Sequence, residues 1–142
     1  MSRENYQQFV ESIKSYTEDQ LAGKDLEKTL KIDTFLTLED MHMKTIEMID
    51  SLQPFGMGNP EPVFACMELR LDEVHVMGKE KEHMRFKFSW DNKQYSAVYW
   101  RSAEKWEDKL HPGMIVDIAG RLEKNEWNGK ITLQLQIVDI HV

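Results

Sequence analysis

Acidic and histidine side chains that could bind a metal ion are scattered along the chain. The candidates are Asp33, then Asp40 with His42, and the adjacent pair Glu82 and His83. Hydrolysis by a two-metal centre needs several carboxylates and histidines around ions about 3.5–4 Å apart. The candidates have no such convergent spacing, and acids beside a histidine are more often solvated surface charges. We therefore expect no catalytic residue and no metal site in this chain.

The single cysteine, Cys66, excludes two further kinds of site. One thiol cannot form an intramolecular disulfide or a cysteine-rich zinc site. Cys66 lies in a segment with a strand-like pattern, which favours a small buried core side chain.

Length and composition indicate an ordinary globular chain. The chain has 142 residues, of which 41% are hydrophobic and 30% charged. This length is typical of one domain, or of a small domain preceded by helices. No apolar run approaches the roughly 20 residues that span a bilayer. The first residues lack the layout of a signal peptide. We therefore expect a cytoplasmic protein with no membrane partner.

The charge is negative overall but uneven. The net charge of −7 does not by itself indicate nucleic-acid binding. Residues 1–50 contain six basic and eleven acidic residues, whereas residues 51–142 contain twelve and fourteen. A local basic face remains possible in the second part, so the total charge does not decide the question.

Two helices are predicted before residue 53. Residues 3–22 have apolar side chains at helical spacing, and Gly23 can end that helix. Residues 30–36 alternate and indicate an extended connector. Thr37 and Asp40 resemble a capping box, which predicts a second helix that runs to about residue 52. The predicted apolar side of this second helix contains Met41, Thr45, Met48, Ile49 and Leu52.

After Pro62 the hydrophobic period changes from 3.6 to 2, which indicates strands. A change of parity at residues 72–73 predicts a bulge, and Asn128 with Gly129 predicts a hairpin turn. Residues 102–110 predict a short helical or irregular insert. The predicted strands are Val63–Met77, His83–Trp90, Gln94–Arg101, an alternating run from Met114 to Leu122, and another from Ile131 to Val142.

Five strands, with a long bent first strand and an insert after the third, match the order of an OB-type barrel. The predicted fold class is α+β, mainly β: a five-stranded OB-type Greek-key barrel preceded by two helices. The predicted domains are a helical segment 1–53, a Pro/Gly joint 54–62 and the barrel 63–142. Such barrels bind oligonucleotides or oligosaccharides across strands 2–3 and the loops that join strands 1–2 and 4–5.

The stretch Gln53–Pro62, QPFGMGNPEP, concentrates three prolines, two glycines and an asparagine. Gly56 and Gly58 are predicted to allow a positive φ or a close backbone approach. Pro60 and Pro62 stiffen the entry to the first strand. These properties favour a structural joint over a direct chemical role.

Three segments resemble the RecJ family of bacterial single-strand-specific DNA exonucleases. They are LQPFGMGNPEPVF (Leu52–Phe64), HMRFKF (His83–Phe88) and NEWNGKITLQLQIVDIHV (Asn125–Val142). They occur in the order of the C-terminal part of that family. The first is similar to the block that enters the OB domain, and the last to its closing hairpin. The helix at residues 3–22 resembles the end of the family's DHH-associated domain, so the resemblance covers nearly the whole chain.

The resemblance implies the OB module of a RecJ-like 5′–3′ exonuclease that acts in DNA repair and recombination. In that family, Mn²⁺ or Mg²⁺ is held by DHH-type motifs, and neither these nor the Gly-Gly-His motif occurs in this sequence. The resemblance therefore implies that this chain is non-catalytic and has no cofactor. We favour an excised fragment of a longer protein over a degenerate paralogue. The implied partners are single-stranded DNA, bound weakly by this chain alone, the missing catalytic domains, and repair proteins.

The barrel and the strand parity together predict a binding surface for a single strand. Aromatic rings stack on bases, at about 1–3 kcal/mol per base, and cations follow the phosphates. Glu80, Glu82, Glu123 and Glu126 flank the surface and would weaken this attraction. The predicted DNA-binding residues are Lys79, Lys81, Arg85, Lys87, Tyr99, Arg101, Trp127 and Lys130.

Several of these assignments have alternatives. Tyr99 and Trp127 could equally be core residues, and residues 79–82 could equally form a self-neutralising solvated loop. The other aromatic residues of this region are predicted to lie in the core: Phe86, Phe88, Trp90 and Trp100.

The main alternative function is a structural or protein-interaction module. It would pack on the catalytic core and help to enclose the DNA path. The acidic N-terminal part favours it, and an uncovered apolar side on helix 3–22 predicts self-association. A free-standing oligosaccharide-binding barrel rests on analogy of fold alone.

Overall fold

The computed structural model describes residues 3–24, 29–90 and 92–142. The chain forms two compact units, residues 1–30 and residues 31–142. In the first unit, helix α1 spans Arg3–Leu21, close to the predicted 3–22. Gly23 follows with a φ of 77°, the left-handed conformation that commonly ends helices. Within the described part of the chain, no helix has both the length and the apolar character to cross a membrane.

The second unit is built on a closed barrel. The strands are β1 (Thr34–Phe35), β2 (Phe64–Met77), β3 (His83–Trp90), β4 (Lys93–Tyr99), β5 (Ile115–Trp127) and β6 (Lys130–His141). They pair in the order β1-β2-β3-β4-β6-β5, and β2 also pairs with β5. That additional pairing closes β2 to β6 into a five-stranded barrel, which confirms the predicted OB-type fold. Strand β1 lies parallel to β2, in the segment predicted as an extended connector.

Bulges bend the long strands so that the barrel can close. The register between β2 and β3 shifts between Leu71 and Glu73, where the change of parity predicts a bulge. The register between β5 and β6 shifts between Ala119 and Gly120. A Cβ atom at Gly120 would lie 2.8 Å from the carbonyl oxygen of Gln136, so this bend requires a glycine.

Apolar side chains from all five barrel strands fill the interior. Phe86 and Phe88 are fully buried and Trp90 packs partly buried against the core, as predicted. Trp100 is 46% exposed, so its assignment to the core was wrong. Burial raises the pKa of the Cys66 thiol to about 12, in agreement with the predicted core role.

The second helix starts later than predicted. Asp40 Oδ2 accepts hydrogen bonds from the backbone N and the Oγ1 of Thr37, at 2.8 and 2.7 Å. These bonds close a 3-10 turn at Leu38–Asp40. Helix α2 spans Met43–Asp50, and its N-cap is His42.

Two side chains that were predicted to lie on the apolar side of α2 are exposed. Ile46 and Ile49 are buried, whereas Met48 is 63% and Leu52 56% exposed. Leu52 follows the last residue of the helix, so helical spacing does not place it on the buried side. A short third helix, α3 (Ala103–Trp106), occupies the predicted insert.

Asparagine, rather than glycine, holds the segment 53–62 in its turn. Two backbone hydrogen bonds of 2.8 and 3.1 Å join Gly56 and Asn59. The Asn59 side chain donates to the carbonyls of Leu52 and Pro54, at 2.7 and 3.1 Å. Gly56 and Gly58 lack a positive φ, and a Cβ at either would meet no atom within 4 Å. Their predicted special role was therefore wrong. This joint and α2 belong to the same compact unit as the barrel, and the predicted domain limits stay a prediction.

Candidate nucleic-acid interface

The outer face of β3 carries a row of polar side chains. Met84, Phe86 and Phe88 are fully buried, and alternate residues of a strand point to opposite faces. Arg85 and Lys87 therefore point away from the core, as the parity of this strand predicts. The register sets Glu73 of β2 opposite Lys87 and His75 opposite Arg85.

Arg85 meets the β5–β6 hairpin in a groove of about 380 Å³, the hairpin groove, which is lined by Arg85, Asn125, Trp127, Lys130 and Thr132. Trp127 and Lys130 face each other across the turn, and Trp127 is 75% exposed. Three of the predicted DNA-binding residues thus surround one space, although they come from distant parts of the chain.

The predicted turn between β5 and β6 positions these side chains. Asn128 and Gly129 have φ angles of 51° and 74°. Two left-handed residues are typical of the type I′ turn, whose twist matches that of the flanking strands. The Asn–Gly dipeptide therefore determines where the tip of the hairpin presents Trp127 and Lys130.

A second groove of about 340 Å³, the strand groove, is lined by Glu73, His75, Met77, Arg85 and Lys87. Glu73 Oε1 lies 3.1 Å from Lys87 Nζ, and Glu73 Oε2 lies 2.9 Å from His75 Nε2. Hydrogen bonds from His75 and Lys87 lower the pKa of Glu73, so its carboxylate is charged at neutral pH. Arg85 belongs to both grooves, and Lys87 already has a carboxylate partner.

Tyr99 lies on the opposite side of the barrel wall from Arg85. It is paired with the fully buried Met84, and its ring packs against the core. Its hydroxyl donates to the carbonyl of Val138 at 3.2 Å, and burial raises the pKa of that hydroxyl. The predicted outward position of Tyr99 is therefore corrected: its ring does not share the surface of Arg85 and Lys87.

Near the start of β3 lie three more of the predicted DNA-binding residues, Lys79, Lys81 and Arg101. The two lysines are exposed in the loop between β2 and β3, and Arg101 is exposed in the turn after β4. Among the residues that the structure describes, none of these three cations forms an ion pair. They are separate from the hairpin groove.

Trp100 is the outward-facing aromatic residue that sequence reasoning missed. Its indole contacts the imidazole of His83 edge-on, with ring centroids 4.9 Å apart. The segment Ala97-Val98-Tyr99-Trp100 is apolar at both parities, so alternation could not assign its faces. The pairing of β4 with β3 assigns the two faces as far as Tyr99, and its 46% exposure places Trp100 outside the core.

The acidic and histidine candidates for metal binding have structural partners. Asp33 Oδ2 accepts a hydrogen bond from the backbone N of Val63 at 3.0 Å, and Asp40 and His42 cap local turns. Among the residues that the structure describes, no group of three or more potential ligands could hold a metal ion. The expected lack of a cofactor stays a prediction.

Comparison with known proteins decides the family. Residues 32–139 match the family model of the RecJ OB domain. The chain belongs to the RecJ OB domain family. It is 28% identical to the single-stranded-DNA-specific exonuclease RecJ of Bacillus subtilis over 130 residues, and 26% identical to that of Haemophilus influenzae over 137 residues. These alignments cover 92% and 94% of this chain but only 16% and 23% of the two relatives.

A solved RecJ structure has the same fold. The crystal structure of RecJ from Thermus thermophilus in complex with Mn²⁺ superposes with a TM-score of 0.71 at 25% identity. The match covers 92% of this chain and 19% of the Thermus chain. The resemblance inferred from the three motifs is therefore confirmed, and the chain corresponds to the OB-domain region of RecJ.

Proposed function

We propose that the barrel binds single-stranded DNA as the OB module of a RecJ-like 5′–3′ exonuclease that acts in DNA repair and recombination. The observation that carries this proposal is the hairpin groove, where Arg85, Trp127 and Lys130 line one space. An aromatic ring beside cations is the combination that holds bases and phosphates of a single strand. The groove includes β3 and the β5–β6 hairpin, which correspond to a strand and a loop that OB barrels use for oligonucleotides.

Binding by this chain alone is expected to be weak and sensitive to salt. The net charge of −7 opposes a polyanion, and Glu73 neutralises Lys87. Each phosphate contact adds about 0.7 to the slope of log affinity against log salt for single strands. We propose that the catalytic domains of the longer protein supply further contacts, the Mn²⁺ or Mg²⁺ and the hydrolysis. The OB module itself then needs no catalytic residue and no cofactor.

Fluorescence anisotropy with a labelled oligothymidine at low and moderate salt tests the proposal. Arg85→Glu places a negative charge in both grooves and should weaken binding by about 10-fold or more at low salt. Lys44→Glu makes the same charge change on α2, which lines neither groove, and should have a much smaller effect. Circular dichroism verifies that both variants fold. Equal losses of affinity in the two variants, or no binding by the wild type even at low salt, would refute specific binding of single-stranded DNA in these grooves.

A second candidate function is favoured by α1. Tyr6, Phe9, Ile13 and Tyr16 are between 48% and 67% exposed although they lie at helical spacing on one helix. An apolar helix side that meets water commonly marks an interaction surface. We propose that α1 packs on another domain of a longer RecJ-like protein and so helps to enclose the DNA path. The two functions are compatible because they use different units of the chain.

A further inference from the structure

Trp100 presents an indole on the same face of the barrel as Arg85. In the pairing of β3 with β4, Arg85 is opposite Val98. The recorded pairing ends at Met84 and Tyr99. Continued by one residue along each chain, it sets His83 opposite Trp100 on this face, and the two rings are in contact. We propose that Trp100 is a second stacking platform for a base of single-stranded DNA, with Lys81 and Arg101 beside it to bind phosphates. This inference rests on the proposed function and extends the binding surface beyond the hairpin groove.

His83 holds the indole of Trp100 in place. Its Nδ1 accepts a hydrogen bond from the backbone N of Arg101 at 3.0 Å, so Nδ1 carries no proton in this arrangement. The proton of the neutral ring is therefore on Nε2, which lies 3.1 Å from Glu82 Oε1. Because both ring nitrogens have partners, the imidazole is fixed, and it supports the indole edge-on. A platform that is already oriented loses less conformational entropy when a ligand binds.

Lys81 and Arg101 have an unusual backbone conformation. Their φ angles are 55° and 52°, in the left-handed region that is costly for residues other than glycine, asparagine and aspartate. Backbone strain of this kind concentrates at functional sites. Both strained residues carry a positive charge. Lys81 lies two residues before the start of β3, and Arg101 follows Trp100 directly. Phosphate binding gives a reason for cations at two positions where glycine would be less strained.

The position of Trp100 defines a path for the bound strand. Arg85 lines the hairpin groove, and His83 lies two residues away along β3, a span of about 7 Å. A DNA strand held by Trp127 and Arg85 therefore reaches Trp100 by continuing along β3 towards the β2–β3 loop. The ligand class is single-stranded nucleic acid that is long enough to contact both indoles.

The first test compares oligothymidine affinity between Trp100→Ala and the wild type by anisotropy. We expect binding to weaken at least about 5-fold, the lower end of measured stacking contributions. Trp100→Phe keeps a ring and should restore most of the affinity. The matched control is Phe35→Ala, which removes a 63% exposed aromatic side chain beside the start of β2, at the end remote from the β2–β3 loop. Thermal unfolding of each variant separates lost binding from lost folding.

The outcomes distinguish this inference from the proposed function. One outcome is that the wild type binds, Trp127→Ala weakens binding, and Trp100→Ala behaves like Phe35→Ala. That outcome refutes the second platform and leaves the proposed binding of DNA in the hairpin groove unaffected. If the wild type does not bind oligothymidine at low salt, the proposed function itself fails. Photocrosslinking to an oligonucleotide that contains 5-bromouracil gives a second readout. Crosslinks to both Trp127 and Trp100 support the path, whereas crosslinks to Trp127 alone overturn it.

Discussion

Glu73 determines how much positive charge β3 offers to a ligand. It pairs with Lys87 at 3.1 Å and with His75 at 2.9 Å. Glu73→Gln removes the negative charge and frees Lys87, so oligothymidine should bind about 2- to 5-fold more tightly at low salt, with a salt slope steeper by about 0.7. Anisotropy titrations over a range of salt concentrations measure both quantities.

The control for this gain is Glu47→Gln, which makes the same change of net charge on an exposed position of α2. It should leave the affinity nearly unchanged. An equal gain in both variants would mean that overall charge, rather than the release of Lys87, sets the affinity.

Cys66 should make stability depend on pH in the alkaline range. Burial raises the pKa of its thiol from 9.0 to about 12. Between these values the unfolded chain has lost the proton and the folded chain keeps it, so the free energy of unfolding falls as pH rises. The free energy of unfolding should fall by at most about 1.4 kcal/mol per pH unit. Below about pH 9 the thiol is protonated in both states and causes no loss of stability. Urea unfolding at several pH values measures it.

Cys66→Ala supplies the comparison for that slope. Below about pH 9, the ordinary pKa of the thiol, the variant should be less stable than the wild type because it leaves a cavity. Above that pH its stability should fall less steeply than that of the wild type. Parallel curves for the two proteins would show that the thiol ionises equally in the folded and unfolded chains.

The faces of β3 could be predicted from the sequence, but those of β4 could not. In β3, polar residues alternate with Met84, Phe86 and Phe88, so parity alone sets Arg85 and Lys87 outside. In β4, Val98 and Tyr99 are adjacent apolar residues, and the sequence offers no contrast between the two faces. The hydrogen-bonded pairing with β3 decides the matter, and that pairing depends on residues distant in the chain.

The β5–β6 turn controls the position of the side chains that line the hairpin groove. Gly129 has a φ of 74°, and a Cβ there would meet no atom within 4 Å. Gly129→Ala therefore acts through backbone conformation alone, and it should cost about 1 kcal/mol of stability. The strained turn would displace Trp127 and Lys130, so oligothymidine affinity should also fall several-fold. Thermal unfolding and anisotropy measure the two effects.

Gly58→Ala is the matched control, since Gly58 is equally free of neighbours but has no positive φ. It should change neither stability nor affinity by a comparable amount. If the two alanine variants behave alike, the left-handed turn is not what positions the hairpin.

Periodic elements could be predicted from the sequence, whereas turns that are held by side-chain hydrogen bonds could be predicted only in part. Alternation located β3 at its observed limits, because a half-buried strand needs that pattern. Thr37 and Asp40 do form the hydrogen bonds of a cap, but the chain turns again at His42 before α2 begins. In the joint, prolines and glycines indicated a turn, yet Asn59 makes the bonds that hold it. Such side-chain bonds leave no periodic signal in the sequence.

The net charge of the chain is a poor guide to the charge on the surface of the barrel. The total is −7, but Arg85, Trp127 and Lys130 still line one groove. Part of the acidic charge is paired in salt bridges whose residues do not line this groove, as in Lys124–Asp50 and Arg121–Glu61. A binding surface therefore depends on which side chains the fold gathers, and a composition count does not contain that information.

Helix α1 should cause this chain to self-associate when it is not joined to further domains. Phe9 and Ile13 are 52% and 48% exposed, and burying them against a second copy removes apolar surface from water. Sedimentation velocity should show a sedimentation coefficient that rises with protein concentration. The double variant Phe9→Glu, Ile13→Glu should remain monomeric, because two added charges on this side oppose its burial.

The control for charge is Gln8→Glu with Ser15→Glu, which adds the same two charges to the opposite side of α1 and should leave the association intact. A wild-type chain that stays monomeric at all concentrations would remove the support for α1 as a packing surface. The proposal that the barrel binds single-stranded DNA would not be affected by that result, since the residues of both grooves belong to the second unit. Association together with unimpaired oligothymidine binding would instead show that packing and DNA binding are separate properties of the two units.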